Sequence, residues 1–302
     1  VVEEREDGAG AGRPTWEPGD APEVPPREAP GSARLTPYEI AFMDGDFESR
    51  VFPMILDEAE GRREDPARRE RFVFLGTGGD AIRDIIPPDA PAEMLEEYRA
   101  LFYHAFNFWR FGRRLYVLDP PVARYLVEGK PGLEGWTFRA PYDSLYLQLP
   151  PNLFWASIGT DVPPEPVDGF FVTISTASDP LGIPFTELEV LMVLGIHRLR
   201  AGFSVIPFDT EVGAGIPPVW LEPGREAGMD FENVLPGGEM AGLYSILTTH
   251  EALKLVARVL WYIETNSEDV SASPAPERRS ADRPGSVPFS RLDFHRVRLG
   301  GG

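Results

Sequence analysis

Apolar positions recur along the chain at two periods, and the switch between them separates helical from strand segments. Leu95, Tyr98, Leu101, Ala105, Phe108 and Gly112 return every three or four residues, which predicts a helix over 92–112 with start signals at Asp89 and Pro91. The same period carries Leu253, Val256, Ala257, Leu260 and Trp261 after a capping box at Thr248 and Glu251. Shorter helices are expected after Thr36-Pro37, over 50–59, as a turn over 80–86 halted by Pro87-Pro88, and after Pro120-Pro121. A period of two takes over at Leu145, Leu147 and Leu149, which alternate with Tyr146 and Gln148 as in a half-buried strand. Pro150, Pro151 and Asn152 then read as the closure of an aromatic hairpin whose return strand is 153–158. Further strands are expected over 72–75, 114–118, 169–175 and 203–208, with 190–197 apolar enough to be buried on both faces. The pattern as a whole predicts an α+β fold, with helices packed on a mainly antiparallel sheet.

The periodic region is bounded by segments that lack a period. Residues 1–34 are Gly, Pro, Ala and acid, with Trp16 and Val24 as anchors, and are expected to be a disordered or extended N-terminal tail. Residues 35–270 are expected to form a single α+β domain, interrupted by a Gly/Pro-rich loop over 209–238. Residues 271–302, rich in Ser, Pro, Arg and Ala, are expected to be a linker or C-terminal tail.

Charge narrows the partner classes. With 48 acidic against 29 basic residues the formal charge is −19, which disfavours a phosphate backbone or an anionic membrane as partner. A basic protein partner remains compatible with it. The chain has no cysteine, so thiolate chemistry, disulfides and cysteine metal sites are excluded, and a cytoplasmic location is expected. No apolar run reaches the length of about 20 residues that a spanning helix needs.

Candidate chemistry is sparse. Gly76-Thr77-Gly78-Gly79 has the small residues of a phosphate-cradling turn, but it lacks the Lys-Ser or Lys-Thr of a P-loop and is followed by Asp80. His104, His197, His250 and His295 have no metal-ligand spacing, and no catalytic residue, metal or cofactor is expected. The one local basic and aromatic cluster is Trp109-Arg110 with Arg113-Arg114, suited either to reading a carboxylate or to balancing acids such as Glu96 and Glu97. Trp109, Arg110, Arg113, Tyr146 and Trp155 are therefore the candidate partner-binding residues.

The order of aromatic phrases adds a resemblance. Phe108-Trp109-Arg110, the strand Leu115-Tyr116-Val117-Leu118-Asp119, the run from Ser144 through Phe154-Trp155-Ala156, Gly169-Phe170-Phe171-Val172, and Leu260-Trp261-Tyr262-Ile263 follow in sequence. Over roughly 93–270 this resembles a family of mobile-element proteins that includes a type V-A anti-CRISPR inhibitor of CRISPR nuclease production. The resemblance implies a non-enzymatic protein that recognises a polypeptide; the family's His-Trp-rich, Arg-rich C-terminal stretch is reduced here to Phe294-His295-Arg296. Three expectations follow: a soluble binder of a peptide or protein, an enzyme or binder of a small phosphorylated ligand using Gly76–Gly79, or a subunit of a larger assembly whose tails wrap its neighbours.

Overall fold

A computed structural model describes residues 32–43, 45–63, 73–128, 136, 139–156, 164–178, 184–195, 203–212, 249–275 and 289–300. The N-terminal tail up to residue 31, most of the 209–238 loop, the capping Thr248 and His197 lie outside the described residues.

Two wide π-type turns, Glu39–Met43 and Phe47–Val51, lead into α1 (Phe52–Arg62), α2 (Gly76–Ile85) and α3 (Ala92–Arg110). Strand β1 (Leu115–Leu118) and helix α4 (Pro120–Glu128) precede β2 (Ser144–Gln148), β3 (Trp155–Ala156), β4 (Glu165–Ser178), β5 (Pro184–Leu194) and β6 (Ser204–Val212). Helix α5 (Thr249–Thr265), β7 (Val270–Ser273) and β8 (Phe294–Val297) follow. The sheet runs β6-β5-β4-β2-β1-β8-β7, with β3 paired to β4 beside this path. Among the described strands the parallel pairs are β1 with β2 and β1 with β8, so the α+β class and the mainly antiparallel sheet are as the pattern predicts.

Helices cover both faces. Helix α3, with α1 and α2, packs on Leu115, Tyr146, Phe171, Leu191, Val193 and Phe294. Helices α4 and α5 pack on the alternate residues Tyr116, Leu145, Leu147, Phe170, Val172 and Met192. This corrects the half-buried reading of β2: the two side-chain sets do face opposite ways, but all five residues are buried. The α3 layer is held by aromatic edges on faces, as between Phe42 and Phe47 at 5.1 Å and 88°.

Three further expectations are corrected. Val73 to Leu75 form a turn before α2 rather than a strand. Strand β5 begins at Pro184 and ends at Leu194, because Gly195 leaves it with φ +70. The segment 144–156 is not a hairpin: β2 and β3 both pair antiparallel with β4, so Pro150 to Asn152 kink one strand path rather than reverse it. The kink is bridged by Leu149 N–H to Asp168 O (2.8 Å) and Val167 N–H to Phe154 O (2.9 Å). A bulge between Val167 and Gly169 on β4 sits opposite it. A Cβ on Gly169 would lie 2.1 Å from Leu147 O, so only glycine lets the strands close there.

The C-terminal segment is not merely a linker. Strand β8 lies inside the sheet, between β1 and β7. Its approach is fastened to the start of the described chain: Arg34 bridges Phe289, and Ser290 N–H donates to Ala33 O at 2.9 Å. Glu39 closes a capping box with Thr36 and also accepts from Ser290 Oγ (2.9 Å) and Arg291 N–H (2.6 Å). Arg34 itself, expected to end a tail, is buried. It forms a salt bridge to the fully buried Asp168 at 2.9 Å and donates to Leu149 O at 2.7 Å.

Candidate functional site

The α3-facing side of the sheet changes character along its length. Phe171, Leu191 and Val205 pack beneath α3, but the next row runs Ser144, Thr173, Glu189, Asp209 across β2, β4, β5 and β6 in direct register. His104, from the middle of α3, sits over this row and shares a 2.9 Å hydrogen bond between Nδ1 and Thr173 Oγ1. Its ring stacks on Phe171 at 6.2 Å. Ser144 Oγ lies 3.3 Å from the same threonine oxygen.

Beside His104 the surface opens into a cleft of ≈150 Å³, lined by Tyr103, His104, Glu189, Pro207, Phe208 and Asp209. Glu189 is buried at its floor and Asp209 is exposed at its rim. Two carboxylates that oppose one another across adjacent strands repel when both are ionised. The cleft is thus lined by two carboxylates that stand in register on adjacent strands. It adjoins β6, the last strand of the sheet, whose outer edge is paired by no described strand.

The residues named from the sequence fall elsewhere. Tyr146 is wholly buried and donates to Asp168 Oδ2 at 2.5 Å; burial, aided by that carboxylate, raises its hydroxyl pKa well above the ordinary value. Trp155 is also interior, at 6% exposure. Neither side chain presents a surface to a partner. Trp109 packs on Phe52 at 5.5 Å, Arg110 stacks over Phe111 at 4.8 Å, and Arg113 pairs with Glu48 at 3.0 Å rather than with Glu96 or Glu97. Glu96 is taken by Arg99. The structure thus groups Trp109, Arg110 and Arg113 at the end of α3, whereas Tyr146 and Trp155 lie buried in the sheet.

The glycine turn forms the first turn of α2. Its N-terminus already holds an anion of the chain's own: Thr77 N–H donates to Glu58 Oε1 at 3.2 Å, and Thr77 Oγ1 hydrogen-bonds the same carboxylate. A phosphate there would have to displace Glu58. Gly78 serves packing, since a Cβ on it would stand 2.1 Å from Val73 O.

Sequence reasoning missed Glu189 and Asp209. A signal was present in the alternation Glu187-Leu188-Glu189-Val190, which places acids on one face of a strand whose later half is apolar. Starting the strand at Val190 hid it. Thr173, Glu189 and Asp209 become neighbours only through the register of three strands, which no local pattern specifies.

Among the described residues no group of three or more His, Cys, Asp or Glu is placed to hold a metal ion, and no helix is long and apolar enough to cross a membrane. No protein-family model and no curated protein matches the chain. Among solved structures it is similar to the crystal structure of AcrVA2, at 12% identity over 86% of this chain and 81% of that one, with a TM-score of 0.45. So distant a likeness does not bear on what the cleft does.

Proposed function

We propose that this protein is a non-enzymatic binder of an extended polypeptide, which adds to the outer edge of β6 and places a Lys or Arg side chain in the adjoining cleft. The supporting observation is the juxtaposition of that strand edge with a cleft lined by Glu189 and Asp209. Edge addition supplies affinity through main-chain hydrogen bonds, while alternate side chains supply selectivity. The chain's charge of −19 favours encounter with a basic segment. The polypeptide recognition implied by the sequence resemblance agrees with this reading. The Glu58 carboxylate at the start of α2 weighs against the phosphorylated-ligand alternative.

Selection of displayed random peptides on the full chain tests the proposal. Enriched peptides should carry a basic residue within an extended, alternating pattern. Asp209→Lys, a change at an exposed position, should weaken their binding at least about tenfold, or about 1.4 kcal/mol. Enriched peptides that are acidic, or that bind the variant equally well, would count against it.

A further inference from the structure

On the opposite face of the sheet from the cleft, where β1 begins, Arg114 has no carboxylate partner among the described residues. Arg34, Arg50, Arg83, Arg99, Arg113, Arg139, Arg296 and Arg298 each stand against a carboxylate. The guanidinium of Arg114 instead lies 4.4 Å over the ring of Tyr142, and its buried Nε has no hydrogen-bond acceptor. No described residue accepts a hydrogen bond from its side chain or forms an ion pair with it. In a chain with 48 acids, this half-buried cation is surrounded by rings.

Those rings form a platform. Tyr116, two residues along β1, pairs in register with His295 of β8, and the two rings stack at 4.8 Å with 22° between their planes. Arg114 is close enough to both to perturb them. Together with burial, its charge holds the His295 imidazole below the ordinary histidine range, so at neutral pH the ring is an uncharged surface. The tyrosine hydroxyl of Tyr116 is held protonated by burial and by nearby Tyr142, against the opposing pull of Arg114. One guanidinium fork with unused donors, flanked by neutral aromatic faces, matches an oxyanion attached to a flat apolar body.

We infer that Arg114, Tyr142 and His295 form a binding site for an aromatic oxyanion, with the Arg114 guanidinium taking a carboxylate or phosphate and the half-buried rings of Tyr142 and His295, backed by the buried Tyr116, taking the flat group.

Titration of the full chain with benzoate, phenyl phosphate, inorganic phosphate and neutral benzamide tests this, with the His295 ring protons followed by NMR. At least one of the two aromatic anions should bind more tightly than inorganic phosphate and benzamide, and which of them does distinguishes carboxylate from phosphate. Bound anion should raise the His295 pKa by screening Arg114. Arg114→Gln should weaken binding at least tenfold, and Arg114→Lys, which keeps the charge but loses the fork, should fall between. The inference is overturned if neither aromatic anion shifts the His295 signals at millimolar concentration, if benzamide binds as well, or if the Arg114→Lys protein, checked for native circular dichroism, binds as the parent does.

Discussion

Asp168 shows how a single buried charge is made tolerable. Its carboxylate has no access to solvent, yet it accepts from Arg34 Nε at 3.0 Å, Arg34 Nη2 at 2.9 Å and Tyr146 Oη at 2.5 Å. Removing one partner leaves the other charge buried, which costs far more than the pair contributes over an apolar substitute. Arg34→Ala should therefore lower the unfolding free energy by about 3–5 kcal/mol in urea titrations; a loss of a few tenths would show that water reaches Asp168. Tyrosines give a second residue-scale expectation. Burial pushes the hydroxyls of Tyr98 and Tyr262 up from 10.0 to about 12, and those of Tyr38, Tyr116 and Tyr146 upward as well. The folded chain then holds protons that the unfolded chain releases, so stability is intact below pH 10 and falls as pH rises through the range toward 12. Spectrophotometric titration should show delayed phenolate formation in the folded protein, with the delay abolished in denaturant. Neither Arg34 nor Asp168 stood out in the sequence. Their meeting depends on a separation of 134 residues, which no local period encodes.

Elements were more legible than sites, and for a physical reason. Helix α3 and strand β2 each bury one periodic stripe, and burial imposes a period on the sequence whatever the topology. Tyr146 and Gln148 misled because they are polar and yet interior: Gln148 Oε1 accepts from Arg34 N–H at 2.8 Å, and Gln148 Nε2 donates to Arg34 O at 3.2 Å. A satisfied polar side chain in a doubly covered strand looks, in sequence, like a solvent-facing one. Pro150-Pro151-Asn152 misled in the same way, since Asn152 at φ +55 serves a kink as well as a reversal. Leu147, with no exposure, packs with the α4–α5 layer, and Leu147→Ala should cost about 2–5 kcal/mol. A change of a few tenths by chemical denaturation would place the residue at the surface and invert the register.

At the scale of the whole molecule, the sheet is completed by its last strand, which joins β1 to β7 and is fastened through Glu39 to the beginning of the described chain. Truncation after residue 275 should expose the edge of β1 and abolish cooperative unfolding, whereas a dispensable tail would leave the thermal transition unchanged. Strand β8 was hidden because Phe294 to Val297 are four residues within a polar stretch, and their partner β1 is about 180 positions earlier. The acid-lined cleft is likewise a product of assembly, formed where α3 crosses β5 and β6. The most direct test of its role is hydrogen exchange on the full chain, with and without a basic peptide selected by display. The account predicts new protection concentrated at residues 204–212, where main-chain hydrogen bonds to the added strand would form. Protection that appears elsewhere while β6 exchanges as before would contradict it.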